Sequence, residues 1–372
     1  MITPLSRLAK FFKKNKLDAV LISSHSNIVY FTNYSGFSKE EREAYLFITD
    51  NKQYILTDGR YSQAVKTLIA DFKLIEISPK LSAMDVLKKL VKKHKIKKLG
   101  FEGHSINFLE HKKLSSHFNN LNHFSLTSLR SIKNKEEILK IKKACELGDK
   151  TFSYILKKIK EGRSEKELAF EIEFFIKKHG ADISFPPIVA SGKNSAIPHH
   201  QTSDQRLTTK DKFVLLDFGV KLNNYCSDMT RTVFFGSANA ELKRIYQTVL
   251  DAQQKSIEKI NILMSQSSNI PASQIDRAAR DYIIAKGYKT IPHSVGHGIG
   301  IDIHETPHLS PKSRDILKEG MVFSIEPGIY LPAEASAKVG IPAGGVRIED
   351  LVVLEKSGPR LLTRSPRELT MV

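Results

Sequence analysis

Apolar residues in the first third of the chain recur in short runs whose spacing alternates between strand-like and helix-like. The strand-like runs fall at residues 19–22, 28–31, 44–48, 54–57 and 73–77. Helix-like spacing follows at residues 60–69, 82–94 and 107–116. Leu5, Leu8 and Phe12 also mark one face of a short amphipathic helix near the start. Strands interleaved with helices in this way predict an α/β layer domain over residues 1–127.

The rest of the chain places helix-like segments ahead of most of the strand-like ones. A polar and charged stretch near residues 128–137 marks the junction. Ser164 and Glu167 form the S-x-x-E pattern of a capping box, which predicts a helix that Gly180 ends. Other helices are predicted at 136–160, 240–263 and 273–286, and strands at 213–220, 225–235, 322–330 and 345–354. This order predicts an α+β domain over residues 128–372.

Composition narrows the function classes. The 372 residues suit two domains of about 150 residues each. The net charge of +18 comes from 58 Lys+Arg against 40 Asp+Glu, but the lysines are scattered and no nucleic-acid-binding motif accompanies them. We therefore expect a solvated basic surface and no nucleic-acid partner. Only two cysteines, no long apolar run and no signal-peptide pattern lead us to expect a cytoplasmic protein without a membrane partner.

Two aspartates flank a turn-prone tetrad. Asp217 ends the apolar run 213–216, Asp228 lies in the next strand, and Lys221-Leu222-Asn223-Asn224 separates them. A hairpin centred on this tetrad places the two carboxylates directly opposite each other, with Cβ atoms about 4.5–5.5 Å apart. Such like charges are destabilising unless compensated, most simply by a divalent cation. Alternatively, the turn centres elsewhere and both aspartates lie apart on a solvated surface.

A second carboxylate pair repeats this logic. Glu326 and Glu349 each follow an apolar strand residue and could pair across an antiparallel ladder. Arg347, two residues before Glu349, points to the same face of its strand. It could therefore orient a carboxylate from behind.

Four histidines follow one another at spacings of 4, 7 and 4: His293, His297, His304 and His308. This spacing would align them on one face of a helix, as in helical zinc motifs. Gly296, Gly298 and Gly300 make a helix costly, and the alternation predicts an extended segment over 298–304 instead. His297 beside four paired carboxylates forms an oxygen-rich set with one nitrogen. Such a set suits Mn, Co, Fe or Zn in a dinuclear site.

These motifs, in this order, resemble the pita-bread metallopeptidases, which include methionine aminopeptidase, aminopeptidase P and prolidase. The matching stretches are D-x10-D (Asp217, Asp228), G-H-G (His297), S-I-E-P-G (Glu326), R-I-E-D (Glu349), S-A-I-P-H at 195–199 and I-H-E-T-P at 303–307. The front half, with NIVYFTNYSGF and TDGRYSQA, resembles the creatinase/prolidase N-terminal domain. That domain argues against an ordinary methionine aminopeptidase, and the complete ligand set argues against creatinase.

The resemblance implies a creatinase/prolidase-type domain over 1–127 and a pita-bread catalytic domain over 128–372. It also implies two divalent metal ions, with manganese as first choice and cobalt or zinc as alternatives. Asp228 and Glu349 would bridge the metals, Asp217 would bind one, and His297 with Glu326 would bind the other. The metals would activate a water that attacks the carbonyl before proline. A homodimer is expected, because family members are commonly dimers.

The resemblance also assigns roles to the remaining polar side chains. Glu326 would shuttle the proton, and His304 and His199 would hydrogen-bond the developing oxygens of the tetrahedral intermediate. His200 competes with His199 for the second role by its distance from Asp217, although the S-A-x-P-H context favours His199. His293 would line the proline subsite, and His308 and Arg347 are further candidates for substrate binding.

Three functions are compatible with these motifs. Some prolidases carry an arginine at the position of His308, where it holds the carboxylate of the dipeptide. Its absence favours an Xaa-Pro aminopeptidase, whose substrate is a peptide with proline at the second position. The alternative is a prolidase that cleaves Xaa-Pro dipeptides. A remoter alternative is a non-catalytic basic binding protein on the same fold.

Overall fold

The computed structural model describes residues 3–208, 213–338 and 343–372. The chain divides into two units, Met1–Arg130 and Ser131–Val372, whereas the predicted boundary lies between residues 127 and 128. Helices and sheets are mixed in both units, as the predicted α+β class requires. Within the described residues, every helix is too short or too polar to span a lipid bilayer.

The first unit is built on one six-stranded mixed sheet. Its elements are α1 Pro4–Asn15, β1 Ala19–Ile22, α2 His25–Thr32, β2 Ala44–Thr49, β3 Gln53–Asp58, α3 Ser62–Leu68, β4 Lys73–Ile77, α4 Ala83–Lys93, β5 Leu99–Glu102, α5 Phe108–Ser115, β6 Leu121–Phe124 and α6 Thr127–Ser131. The strand order is β4-β3-β2-β1-β5-β6. β2 runs antiparallel to β1 and β3, whereas β4, β5 and β6 run parallel to their neighbours. The sheet's buried side chains form this unit's core.

One predicted strand of this unit is wrong. Residues 28–31 lie inside α2, where the Ser24 side chain caps the helix by accepting a hydrogen bond from the Asn27 amide. Every side chain from Asn27 to Thr32 is buried. A short apolar run that is buried on all sides has no periodicity to separate strand from helix. The N-cap signal at Ser24 therefore decides its structure.

The second unit arranges strands in several small sheets behind long helices. Its elements are α7 Lys135–Leu156, α8 Glu165–Lys178, β7 Asp182–Ile183, β8 Ile188–Ser191, a 3₁₀ helix Gly192–Ala196, β9 Phe213–Phe218, β10 Val220–Leu222, β11 Tyr225–Cys226, β12 Met229–Phe234, α9 Ala240–Gln266, β13 Ile270–Pro271, α10 Ala272–Ala285, β14 Gly296–Gly298, β15 Glu305–Leu309, β16 Ile316–Leu317, β17 Val322–Ile325, β18 Gly328–Leu331, α11 Ala333–Lys338, β19 Gly344–Arg347, β20 Asp350–Glu355 and β21 Gly358–Leu361. The largest sheet has the antiparallel order β15-β14-β17-β20-β21. Smaller sheets are β12-β9-β8, β11-β10-β7, β18-β19 and β13-β16.

Two helix layers pack on these sheets. The apolar faces of α9 and α10 bury the core that includes Phe323 and Val352, and α7 and α8 bury a second core that includes Leu216 and Phe218. The predicted capping box at α8 is confirmed. The Glu167 amide donates to the Ser164 hydroxyl at 3.1 Å, and the Ser164 amide donates to the Glu167 carboxylate at 3.0 Å.

Three of the four long strands predicted for this unit are interrupted at an acidic residue. The run 225–235 divides into β11 and β12 around Asp228, and 322–330 divides into β17 and β18 around Glu326. The run 345–354 divides in the same way around Glu349, between β19 and β20. Pro327 contributes to one break because it has no amide hydrogen for the ladder. The breaks leave these three acidic side chains outside the regular ladders.

Candidate metal centre

The first hairpin has a different register from the predicted one. Asp217 pairs with Thr230, so the prediction that Asp217 directly faces Asp228 is wrong. The turn centres on Asn223 and Asn224, whose φ angles are 50° and 70°. Positive φ at both central residues is the signature of a two-residue type I′ hairpin, which asparagine tolerates. Compared with the predicted hairpin, the centre of the turn lies one residue further along the chain, so each residue of β9 pairs two positions further along β12. A shift by two positions leaves each side chain on the same side of the sheet.

Glu326 and Glu349, the second predicted carboxylate pair, lie opposite each other. Ile325 pairs with Asp350 on one side of the strand break, and Gly328 pairs with Arg347 on the other. The same register therefore places Glu326 across from Glu349, at the point where both strands leave the ladder. Their carboxylates reach the same cavity.

His297 brings its imidazole to these carboxylates from β14. Its Nε2 lies 3.5 Å from an Asp228 oxygen and 3.4 Å from a Glu326 oxygen. Nδ1 lies 3.1 Å from the Gly298 carbonyl oxygen, so Nδ1 carries the proton and Nε2 presents its lone pair to the cluster. Burial lowers the pKa of His297, which keeps the ring neutral near pH 7. A neutral imidazole is the form that binds a metal.

The ten predicted site residues line one cavity of about 450 Å³. They are His199, Asp217, Asp228, His293, His297, His304, His308, Glu326, Arg347 and Glu349. His200 is absent from the lining, and its Nε2 lies 2.8 Å from a Glu165 carboxylate oxygen. Of the two neighbouring histidines, His199 lines the cavity and His200 instead contacts Glu165. Phe185, Ile188 and Ile303 add apolar walls to the cavity.

The donor set fits a cation. Asp228, His297 and Glu349 each offer a ligand atom, and these atoms lie within 4.8 Å of one another. Asp228 Oδ1 and Glu349 Oε1 are buried and accept no hydrogen bond from any residue in the described ranges. A buried carboxylate oxygen without a donor is costly. Divalent cations bound by these oxygens remove that cost, because carboxylate oxygens and imidazole nitrogen are ordinary ligands of Mn, Co and Zn.

Electrostatics support the same conclusion. Burial, followed by the neighbouring Glu349 carboxylate, raises the pKa of Asp228 well above its usual value. Burial and the neighbouring Glu326 carboxylate likewise raise the pKa of Glu349, and burial raises that of Glu326. The protein itself therefore does not neutralise this acidic cluster fully. A bound cation would favour the ionised carboxylates.

Arg347 and Thr230 orient the carboxylates from behind. An Arg347 guanidinium nitrogen donates to Asp217 at 2.6 Å, and its Nε donates to the Thr230 hydroxyl at 3.2 Å. The Thr230 hydroxyl in turn donates to Glu349 at 2.7 Å. Thr230 was not among the predicted site residues, although its place two residues after Asp228 in the predicted strand would put it on the same strand face. Arg347 also donates to the Tyr330 hydroxyl at 2.9 Å, and Tyr330 was likewise not among the predicted site residues.

Tyr330 connects this network to His293. The tyrosine hydroxyl donates to His293 Nε2 at 2.8 Å, because His293 Nδ1 donates to the Ser294 carbonyl at 2.7 Å. The two bonds fix the ring orientation of His293 in the cavity wall. Burial lowers the pKa of His293, so this ring is neutral near pH 7.

The remaining histidines follow β14. The predicted extended segment over 298–304 is wrong, because β14 ends at Gly298 and the chain turns before β15. Within this turn the Gly300 amide donates to the Asp302 carbonyl at 3.0 Å. The turn brings the His304 ring to 4.4 Å from the His297 ring, measured between centroids. His308 pairs with His297 across the ladder, but its side chain is 62% exposed and lies beside Asp315.

Two protein-family models match this chain. The model of metallopeptidase family M24 matches residues 139–356, and the model of the creatinase/prolidase N-terminal domain matches residues 4–135. The chain belongs to metallopeptidase family M24. The pita-bread resemblance and the two-domain fold class predicted from the motifs are confirmed.

Similar proteins match this chain over nearly its whole length. An Xaa-Pro dipeptidase of Pyrococcus furiosus is 36% identical over 98% of this chain and 99% of its own. The solved structure of an Xaa-Pro dipeptidase from Bacillus anthracis has a TM-score of 0.87 and 35% identity, with 99% of both chains covered. That of an X-Pro aminopeptidase from Thermotoga maritima has a TM-score of 0.87 and 33% identity over the same shares.

Membership of M24 settles the class of activity. The chain is a peptidase with a peptide substrate, rather than the non-catalytic binding protein considered above. The family implies divalent metal ions, and the cluster around Asp228 supplies a suitable donor set.

Proposed function

We propose that this M24 peptidase hydrolyses the bond before proline, using two divalent cations held by five residues of the cavity. The proposed ligands are Asp217, Asp228, His297, Glu326 and Glu349. The observation that carries the proposal is the pair of buried carboxylate oxygens, on Asp228 and Glu349, that accept no hydrogen bond from the described residues. They lie beside the neutral His297 imidazole, so the site is built to receive positive charge.

Divalent cations bound there would lower the pKa of a water molecule and polarise the scissile carbonyl. The protein's own groups would manage the proton and the developing charge. Glu326 is buried with a raised pKa, which suits a carboxylate that accepts a proton from the nucleophile and delivers it to the proline nitrogen. Partial desolvation at the cavity lowers the pKa of His304, which favours the neutral ring, and a neutral ring can donate an N–H to the developing oxyanion without carrying a full charge. His199, on the same cavity, would donate a second hydrogen bond.

The proline ring would lie against His293. Its ring is held by Ser294 and Tyr330, so it presents a fixed face to the substrate. A rigid wall suits a rigid ring, because little side-chain freedom is lost on binding. Arg347 orients Asp217 and does so from a buried position, which makes it a support of the metal site more than a contact for substrate.

The relatives favour a dipeptide as the first substrate. Xaa-Pro dipeptidases are 36% identical to this chain in sequence and have a TM-score of 0.87 in structure. From the motifs we expected an aminopeptidase first, and the similarity to these relatives does not confirm that order. We therefore propose the prolidase activity as primary.

The Xaa-Pro aminopeptidase activity remains the second candidate. The exposed His308 stands where some prolidases carry an arginine, so the cavity there lacks a permanent cation to hold a dipeptide's carboxylate. The similarity to an X-Pro aminopeptidase supports the same candidate.

A matched peptide panel separates these activities. The protein, loaded in turn with Mn²⁺, Co²⁺ and Zn²⁺, is given Met-Pro, Met-Pro-Ala and the control Met-Ala, and product release is followed by amine detection. The primary proposal expects Met-Pro to be cleaved at least tenfold more efficiently than Met-Pro-Ala. The opposite ratio would establish the aminopeptidase, and equal cleavage of Met-Ala would remove proline specificity from both.

The proposal also includes the cellular setting. We infer a homodimer with manganese as its native metal, placed in the cytoplasm and without a nucleic-acid or membrane partner. Size-exclusion chromatography with light scattering tests the dimer. Metal analysis of protein purified without added metal tests manganese, with two equivalents per chain expected.

A further inference from the structure

The turn between β14 and β15 carries His304 and is held by the next residue. Glu305 Oε1 accepts hydrogen bonds from the Ile301 amide at 3.0 Å and the Asp302 amide at 3.2 Å. The carboxylate fits closely against Gly300, since a Cβ there would lie 2.6 Å from a Glu305 oxygen. Glu305 therefore acts as a local template around which residues 300–304 fold.

A second clamp holds the turn from β11. The Cys226 amide donates to the Gly300 carbonyl at 2.7 Å, and its thiol lies 3.4 Å from the Ile301 carbonyl oxygen. These contacts fix the beginning of the turn. Its end, where His304 lies, depends on where the Glu305 side chain is anchored.

Lys133 provides that anchor. Its ammonium lies 3.1 Å from Glu305 Oε2, and the two side chains are only 1% and 6% exposed. The Lys133 backbone is fixed as well, since its amide donates to the Gly320 carbonyl at 2.8 Å. Gly320 leaves room for this contact, because a Cβ there would lie 2.9 Å from the Lys133 carbonyl oxygen. Gly320 immediately precedes Met321 and β17, the strand that pairs with β14.

An ion pair this deeply buried is a poor source of stability, because removing both charges from water costs about as much as their attraction returns. Its better-attested use is to specify one arrangement among several. Here the arrangement is the turn that places His304 at 4.4 Å from His297.

We propose that Lys133 and Glu305 are positioning residues that hold His304 in place for transition-state stabilisation. The proposal rests on the proposed function for the role of His304, but not for the structure of the turn. The Lys133 ammonium contacts Glu305, whose other carboxylate oxygen holds the turn, so we expect its effect on catalysis to pass through Glu305 and the turn. Misplacement of a catalytic group by about 1 Å can cost a factor of about 100 in rate.

A kinetic cycle tests the route of the effect. Lys133→Met, which keeps the length of the side chain without its charge, is measured alone and together with His304→Ala. We expect Lys133→Met to lower kcat at least tenfold with KM changed less than threefold. In the His304→Ala background the same change should cost less than threefold, because the group that it positions is gone. An equal loss in both backgrounds, or no loss in either, overturns the proposal.

Lys142→Met is the matched control. Lys142 forms a partly exposed pair with Glu146 at 3.6 Å on α7, so the same chemical change should leave kcat unaltered. Glu305→Gln provides a second variant that keeps the oxygen acceptor for the turn amides but loses the charge that attracts Lys133. It should reproduce the kcat loss, including its disappearance with His304→Ala, even where Lys133→Met fails to fold.

A readout independent of activity separates this proposal from the proposed function. Hydrogen exchange of the metal-loaded protein should show the peptide that spans Ile301 and Asp302 exchanging at least tenfold faster in Lys133→Met or Glu305→Gln. If the wild-type protein cleaves no Xaa-Pro peptide but this exchange accelerates, the function fails and the positioning of the turn stands. If Xaa-Pro cleavage is found but exchange is unchanged in both variants, the positioning proposal fails alone.

Discussion

Asp228→Asn should stabilise the metal-free protein while it removes metal binding and activity. Asp228 is buried within a cluster of acidic side chains, and burial with the neighbouring Glu349 raises its pKa well above the usual value. Asparagine has nearly the same shape but no charge. The substitution therefore relieves the repulsion that a cation relieves in the metal-loaded protein.

The size of the effect follows from the geometry. Ligand atoms of Asp228 and Glu349 lie within 4.8 Å of each other. Two unit charges at about 4.8 Å repel by about 3 kcal/mol at an effective dielectric constant of about 20. Asp228 in the metal-free native protein can avoid this repulsion by taking up a proton. At pH 7 protonation costs at most about 4 kcal/mol for an aspartate with an ordinary pKa, so it limits the size of the effect. We therefore expect the free energy of unfolding to rise by about 2–3 kcal/mol.

Thermal unfolding in excess chelator measures this directly. For a unit of this size, about 2–3 kcal/mol corresponds to a rise of about 4–12 °C in Tm. The control is Asp281→Asn, the same chemical change on the exposed surface of α10, which should alter Tm by less than about 2 °C. In saturating metal the order should reverse, because only the wild-type protein gains binding free energy from the cation.

One result would refute the reasoning. If Asp228→Asn is no more stable than the wild-type protein in chelator, the acidic cluster is not under electrostatic strain. The orphan carboxylate oxygens would then need a different explanation from a cation site.

Further predictions concern pH and the residues around the cavity. In chelator, the Tm advantage of Asp228→Asn over the wild-type protein should grow as pH rises from about 4 towards 8, since the unfolded wild-type chain ionises Asp228 before the buried carboxyl with its raised pKa does; an advantage that does not change with pH would contradict this. Tyr330→Phe should raise KM for Met-Pro about threefold to thirtyfold, because His293 loses its 2.8 Å hydrogen bond; an effect on kcat alone would oppose the assigned subsite. His199→Ala should lower kcat by about 100-fold or more in the same assay. His200→Ala should mainly lower Tm, because the buried Glu165 carboxylate loses one of its hydrogen-bond partners; the reverse pattern would exchange the two roles.

Much of the fold could be predicted because local signals agree with tertiary packing. The S-x-x-E box at Ser164 sets the start of α8, and the apolar periodicity gives α9 and α10 to within a few residues. The candidate ligands could be proposed because carboxylates at the ends of apolar runs have few structural explanations. Residues 28–31 were predicted as a strand and form part of α2, since full burial removes the alternation that separates strand from helix.

The parts that could not be predicted depend on exact pairing or on distant contacts. The tetrad 221–224 is turn-prone as a whole, so the sequence does not show that Asn223 and Asn224 alone form the turn in a left-handed conformation. This turn changes the pairing partner of Asp217 from Asp228 to Thr230. The strand breaks at the acidic residues could not be predicted either, because the apolar pattern continues across them in the sequence. Lys133 and Glu305 are 172 residues apart, so only the structure brings them together.

The central claim is that the acidic cluster, loaded with metal, cleaves the bond before proline. The most direct measurement is the rate of proline release from Met-Pro by manganese-loaded protein, compared with the cleavage of Met-Ala and with the Asp228→Asn variant. We expect proline release at about 1–1000 per second, at least 100-fold faster than Met-Ala cleavage and abolished in the variant. Equal cleavage of Met-Ala, or full activity of Asp228→Asn, would contradict the account.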